Sequence, residues 1–156
     1  MDLKENTNQV FQQVTKAIQE TGREDGSVSV IAVTKYVDIV TAANLIDQGV
    51  KHIGENRVDK FLEKYHALSD KGVTWHLIGS LQRRKVKDVI PFVDYFHALD
   101  SLKLAQEIQK RADRTVKCFL QVNISGEESK HGFSKEDLLT VLPDLSSLDQ
   151  IEYVGL

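Results

Sequence analysis

The chain has 156 residues, enough for one domain with its own core, and it carries a net charge of -3 with an isoelectric point near 5.9. This balance excludes the overall positive field that draws proteins to nucleic acid or anionic membranes, and no segment approaches the roughly 18 apolar residues that span a bilayer. The single cysteine, Cys118, lies in an apolar run and favours a reducing compartment, so we expect a cytoplasmic protein.

Local signals predict where helices and strands begin and end. Apolar residues at i, i+3, i+4 and i+7 indicate helices, with Asp38, Ser101 and Ser134 placed as N-caps. Short β-branched or aromatic runs indicate strands. In chain order the predicted elements are a helix at 3–21, a strand at 28–34, a helix at 38–48, a strand at 52–54, a helix at 58–68, a strand at 74–78, a helix at 81–90, a strand at 95–98, a helix at 101–112, a strand at 116–124, a helix at 134–145 and a strand at 151–156.

The alternation of strands and helices predicts parallel βα units in an α/β protein. An open doubly wound sheet predicts a glycine-rich phosphate loop after the first strand, but the turn at 34–38 contains no glycine. The sequence therefore favours a TIM-type (β/α)8 barrel with an extra N-terminal helix. Because a barrel has eight units and this chain holds about six, we expect one incomplete barrel domain over 1–156 that lacks its last two units.

The ends of the first two strands hold candidate binding residues, because barrels build their sites there. Lys35 follows an apolar strand, where partial loss of water favours the neutral amine that reacts with aldehydes. The alternative is a lysine that extends from the strand end to solvent. Asn56 follows Gly54 and Glu55, and its amide can bind a ligand or cap the next helix. The residues alone leave both alternatives open.

Three histidines, His52, His76 and His97, fall on three successive predicted strands. If they converged on a metal ion they would indicate a metal-dependent hydrolase. No H-x-H or H-x-x-x-H pair occurs, so packed or hydrogen-bonded imidazoles are favoured. The sequence also lacks G-x-S-x-G, P-loop and G-x-G-x-x-G motifs, which argues against a serine hydrolase, an NTPase and a nicotinamide enzyme. The polar segment 125–132 is typical of either a flexible lid or an exposed loop.

Six short strings occur in a fixed order along the chain. They are IAVTK at 31–35, GEN at 54–56, WHLIGSLQ at 75–82, HALDS at 97–101, QVN at 121–123 and a serine-glycine to lysine-x-glycine loop at 125–132. Together they cover essentially the whole chain. In this order and spacing they resemble the pyridoxal phosphate homeostasis family, whose barrel is related to that of alanine racemase.

The resemblance implies a protein that binds pyridoxal 5'-phosphate (PLP) and stores or delivers it to PLP-dependent apoenzymes. It implies that Lys35 holds PLP as a Schiff base and that Asn56, His76 and Ile78 lie near the ring. It implies no catalytic residue, no metal site, and neither nucleic acid nor membrane as a partner. A PLP-dependent amino-acid racemase is the alternative function, although racemases of this fold use a second domain that this sequence does not supply.

The sequence departs from the family pattern in two places. Arg84 stands where many members carry asparagine. The family's phosphate-binding segments lie in the last two βα units, which we expect this chain to lack. We therefore expect it to bind PLP weakly or not at all, and its open sheet edges to favour self-association.

Overall fold

The structure is a computed structural model that describes residues 2–156. Helices and strands alternate along this range, and two short 3-10 turns lie at Ser69–Lys71 and Ile90–Phe92. No helix within it is long and apolar enough to cross a membrane. The elements are α1 (Leu3–Glu20), β1 (Ile31–Val33), α2 (Ile39–Asp47), β2 (His52–Glu55), α3 (Val58–Leu68), β3 (Thr74–Leu77), α4 (Arg83–Val89), β4 (Tyr95–Leu99), α5 (Leu102–Arg111), β5 (Val116–Leu120), α6 (Lys135–Ser146) and β6 (Ile151–Gly155).

The strands form one parallel sheet in the order β1-β2-β3-β4-β5-β6. Each strand pairs with its neighbours in sequence, whereas a doubly wound sheet reverses its strand order at a switch point. The order confirms the predicted barrel-type βα units and the extra N-terminal helix. Within residues 2–156, β1 and β6 are the two edges, so this part of the sheet is unclosed, as predicted for about six units.

The three predicted N-caps are confirmed. Asp38 accepts a hydrogen bond from the Thr41 N–H at 2.8 Å. Ser101 and Ser134 accept equivalent bonds at 3.1 Å each from the N–H groups three residues further on. Each bond satisfies one of the backbone donors that a helix N-terminus leaves without an intrahelical partner.

Two strands are shorter than predicted. The run at 28–34 forms a strand only at Ile31–Val33, because β1 is an edge and its pairing with β2 covers these three residues. The run at 116–124 ends at Leu120, where the pairing with Leu99 of β4 ends. Beyond that point the chain forms only an isolated bridge between Val122 and Phe133. Side-chain pattern alone cannot show where a neighbouring strand stops.

The hydrophobic core lies between the sheet and the helices. Phe61 of α3 packs edge-on against Trp75 of β3, with ring centroids 5.8 Å apart. Phe96 of β4 is fully buried in the same cluster. Cys118 is buried there as well, and burial raises the pKa of its thiol to about 12, which agrees with its interpretation as a small core residue. The other face of the sheet carries the polar residues described below.

We expect Phe96→Ala to lower the free energy of unfolding by about 3–5 kcal/mol, because it leaves a cavity in a fully buried position. Leu139→Ala is the control, since Leu139 is 61% exposed and its truncation should change stability by less than about 0.5 kcal/mol. Urea denaturation of both variants measures the difference. Equal losses in the two variants would contradict this description of the core.

Candidate functional site

Lys35, Asn56 and Ile78 follow the neighbouring ends of β1, β2 and β3, each two residues beyond a position that the strand register aligns. Val33, Gly54 and His76 are aligned by the strand register. Residues two positions further along each strand share the same face. The ladder continues past the strand ends through the bonds Thr34 N–H to Gly54 O, 3.0 Å, and Ile78 N–H to Glu55 O, 2.8 Å. His76 therefore lies one level below the other three predicted residues.

Lys35 occupies a turn at the end of β1. The Val37 N–H donates to the Thr34 carbonyl at 3.1 Å, which closes the turn around Lys35. The Lys35 Nζ lies 5.0 Å from the centroid of the Tyr36 ring. It has no hydrogen-bond or ion-pair partner within residues 2–156. Lys35 is half-buried.

The three histidines form a hydrogen-bonded series across β2, β3 and β4. The Nδ1 of His52 lies 2.9 Å from Nε2 of His76, and Nδ1 of His76 lies 2.8 Å from Nε2 of His97. The His76 ring also stacks on Tyr95, with centroids 4.6 Å apart. Because a neutral imidazole donates from one nitrogen and accepts at the other, the tautomer of one ring fixes those of its neighbours. The favoured prediction, hydrogen-bonded imidazoles, is confirmed.

This arrangement differs from a metal centre because the nitrogens pair off along the series instead of converging on one point. Residues 2–156 contain no group of three histidine, cysteine or acidic side chains that could hold a metal ion. Burial lowers the pKa of His52 and His97, although Asp94 acts in the opposite direction on His52. Burial, with smaller effects of His97 and His52, lowers the pKa of His76 to about 3. The series is therefore uncharged at neutral pH.

His76 can touch a ligand but has no nitrogen free to bind one. It is 3% exposed, and both of its ring nitrogens face other imidazoles. Its predicted place near a ligand ring is therefore limited to van der Waals contact from the level below Lys35. The amide of Asn56 and the aliphatic side chain of Ile78 lie at the level of Lys35 itself.

Gly79 holds the loop after β3 against the loop after β2. A Cβ atom at position 79 would overlap the carbonyl oxygen of Asn56, because the two atoms would be 2.2 Å apart. Only glycine, which has no Cβ, fits at this position. Residue 79 occurs in one of the strings that carry the family resemblance, but the sequence alone does not show what it contacts. The structure shows that the absence of a side chain at position 79 allows the backbone there to lie against the carbonyl of Asn56.

The polar segment 125–132 is hydrogen-bonded to the residues that follow β5. The Asn123 Oδ1 accepts from the Gly126 N–H at 3.1 Å, and its Nδ2 donates to the Glu127 carbonyl at 2.8 Å. Gln121 donates to the carbonyl of His131 at 3.2 Å. These tethers favour the exposed-loop alternative over a freely moving lid.

Lys64, the buried ion-pair partner of Glu55 on the helix side of the site, was not predicted from the sequence. The Lys64 Nζ of α3 lies 3.0 Å from the Glu55 Oε2 and 2.8 Å from the Thr34 carbonyl oxygen. Glu55 and Lys64 are 0% and 3% exposed. The available signal was the spacing of Lys64, which lies three residues after Phe61 and four before Leu68 on the apolar stripe of α3.

Acid should destabilise the protein through His76. The unfolded chain takes up a proton near the ordinary histidine pKa of about 6.5, whereas the folded chain resists protonation until about pH 3. Stability is therefore complete above pH 6.5 and falls as the pH drops towards 3. Between pH 7 and pH 5 the loss from this group is about 2 kcal/mol. In urea denaturation, the free energy of unfolding of His76→Phe should depend less steeply on pH than that of the parent. The control His66→Phe, at an exposed position, should retain the pH dependence of the parent. Parallel curves for parent and His76→Phe would contradict the assignment.

Gly79→Ala should move Asn56 and lower stability by about 1–3 kcal/mol, because the added methyl group overlaps the Asn56 carbonyl. Ser80→Ala at the neighbouring exposed position is the control and should cost less than about 0.5 kcal/mol. Thermal unfolding measures stability, and the amide NMR shifts of residues 55–57 report the displacement. A Gly79→Ala variant with unchanged shifts and stability would refute the close approach.

Comparison with known proteins gives consistent matches over nearly the whole chain. Residues 7–156 match the family model of the alanine racemase N-terminal domain. The pyridoxal phosphate homeostasis protein of Aquifex aeolicus is 35% identical over 159 aligned positions, which span 100% of this chain and 70% of that relative. This chain therefore corresponds to about two thirds of the length of such a relative.

Solved structures agree with the sequence matches. PipY of Synechococcus elongatus, a structure with PLP bound, superposes with a TM-score of 0.79 at 32% identity, covering 91% of this chain and 68% of PipY. The alanine racemase of Clostridium difficile superposes with a TM-score of 0.65 at 17% identity, covering 85% of this chain and 36% of the racemase, which shows the shared fold alone. Together with the family model, these matches place the chain in the pyridoxal phosphate homeostasis protein family, on the alanine racemase N-terminal domain fold.

Proposed function

We propose that this chain, as one barrel domain, binds PLP through Lys35 and serves the cellular homeostasis of that cofactor. The observation that supports the proposal is that Lys35 follows the end of β1, has no hydrogen-bond or ion-pair partner for its amine within residues 2–156, and lies beside the strand ends that precede Asn56 and Ile78. Two comparisons support it. PipY is described with PLP bound, and the Aquifex relative is named a PLP homeostasis protein.

The donor set suits an aromatic aldehyde. PLP supplies, when bound, an aldehyde carbon that a neutral amine attacks. Lys35 provides an amine at the end of β1. Asn56 offers a hydrogen-bond donor and an acceptor, and Ile78 an apolar surface for one face of a ring. His76 lies one level below these residues and adds no charge to the site, because its imidazole is neutral.

The role that we propose is storage and delivery, not catalysis. The relative at 35% identity is named a PLP homeostasis protein, and PipY at 32% identity is described with PLP bound, while the racemase similarity reaches only 17% identity. A metal-dependent hydrolase is opposed by the histidine series, in which the nitrogens point at one another. A racemase remains the alternative that turnover assays distinguish.

We also propose PLP-dependent apoenzymes as recipients and the cytoplasm as the location, since cofactor delivery requires the two proteins to share a compartment. Self-association is proposed from the sheet, because β1 and β6 have unpaired outer edges within residues 2–156. Light scattering across a range of protein concentrations measures it.

The test of the proposal is to mix the chain with PLP, reduce with borohydride, and map the modified peptide by mass spectrometry. We expect a pyridoxyl group on Lys35, absent in Lys35→Ala and retained in Lys85→Ala, a control at another half-buried lysine. The PLP concentration required also tests the expectation of weak binding.

Three results would count against the proposal. Labelling spread over surface lysines in proportion to their exposure would show that Lys35 is not a site. The absence of any label up to millimolar PLP would show that this chain does not hold the cofactor. Racemisation of alanine by the PLP-loaded chain would favour the enzyme alternative.

A further inference from the structure

Three buried groups meet next to Lys35 and Asn56, two of the residues that we assign to the cofactor. They are Thr34, Glu55 and Lys64, which we call the brace. Lys64 donates to the Thr34 carbonyl at 2.8 Å and to the Glu55 Oε2 at 3.0 Å, and the Thr34 hydroxyl donates to the same carboxylate oxygen. The brace thus connects the end of β1, the end of β2 and the helix α3.

The place of the brace in the chain links it to the site. Thr34 immediately precedes Lys35, and Glu55 immediately precedes Asn56. Thr34 and Glu55 point to the helix side, where both bond to Lys64 of α3. Fixing these two residues therefore fixes the peptide planes from which Lys35 and Asn56 depart.

The brace also holds the turn around Lys35. The Thr34 carbonyl accepts from the Val37 N–H at 3.1 Å, which closes the turn, and from the Lys64 ammonium at 2.8 Å. A charged donor makes a stronger hydrogen bond than a neutral one. The carbonyl orientation, and with it the start of the Lys35 side chain, is thus set by a residue on α3.

Stability alone does not account for the brace. Burying two charges costs desolvation, and apolar side chains of similar volume stabilise a core as well or better. The Glu55 Oε1 atom is buried and has no hydrogen-bond partner within residues 2–156, which adds to this cost. What the ion pair supplies, and an apolar pair cannot, is directional hydrogen bonding to Thr34.

We infer that Lys64 and Glu55 are positioning residues for the cofactor-binding lysine, acting through Thr34. The inference rests on the proposed function of Lys35. It assigns to these buried residues the task of holding the amine at the height of Asn56, while neither touches the cofactor. Removing the brace should leave the fold intact and misplace the Lys35 amine.

The test uses the double variant Lys64→Met/Glu55→Leu, which removes both charges together and so leaves neither one buried without its partner. We expect Lys35 labelling by PLP and borohydride to fall about tenfold, because small misplacements of a reacting group cost this much or more. The circular dichroism of the bound cofactor, which reports a fixed orientation, should weaken. Amide hydrogen exchange at Val37 should accelerate about tenfold as the turn loosens.

Two further variants separate positioning from general damage. Glu107→Leu/Arg111→Met removes an ion pair on the surface of α5 and should change none of the readouts. Thr34→Val removes only the hydroxyl donor and should lower labelling, whereas Thr34→Ser retains it and should restore the parent level.

The outcomes distinguish this inference from the proposed function. A folded double variant with parent-level Lys35 labelling and unchanged Val37 exchange overturns the inference and leaves the proposed function standing. If the double variant does not fold, parent-level labelling in Thr34→Val overturns the inference. If the parent chain itself is not labelled at Lys35, the proposed function fails and the inference fails with it.

Discussion

The bonding of Thr34 and Glu55 to Lys64 of α3 is the constraint on which the candidate site depends. Each of these two residues directly precedes a residue that we propose for cofactor binding, Lys35 after Thr34 and Asn56 after Glu55. A residue at each strand end can therefore be available for binding while the residue beside it is bonded to a helix. The parallel register places the ends of β1, β2 and β3 side by side.

The two faces of the sheet accommodate their buried polar groups in different ways. On the inner face, the histidine series remains neutral, because burial lowers the pKa values of its members and each ring bonds to the next. On the helix face, Glu55 and Lys64 are placed within an ion-pair distance of 3.0 Å. Neutral groups tolerate rearrangement of their protons, whereas a buried ion pair fixes its geometry. The ion pair contacts Thr34, the residue that precedes the lysine we propose for cofactor binding.

Most elements could be predicted from the sequence, because periodicity and capping are local properties. Asp38 and Ser134 show this for helix starts. The end of β5 could not be predicted, since it depends on where β4 stops pairing. The sequence favoured packed or hydrogen-bonded imidazoles for His52, His76 and His97, but which nitrogens pair depends on the register between strands. Lys64 was missed because a lysine on an amphipathic helix ordinarily faces solvent, and only its buried partner explains its place.

A crystal structure of this chain after exposure to PLP and reduction would show directly whether Lys35 holds the cofactor. We expect continuous electron density from the Lys35 Nζ to the cofactor, with Asn56 and Ile78 against the ring and both His76 nitrogens still bonded to His52 and His97. Cofactor density joined to another lysine, or lying away from the ends of β1 and β2, would contradict it.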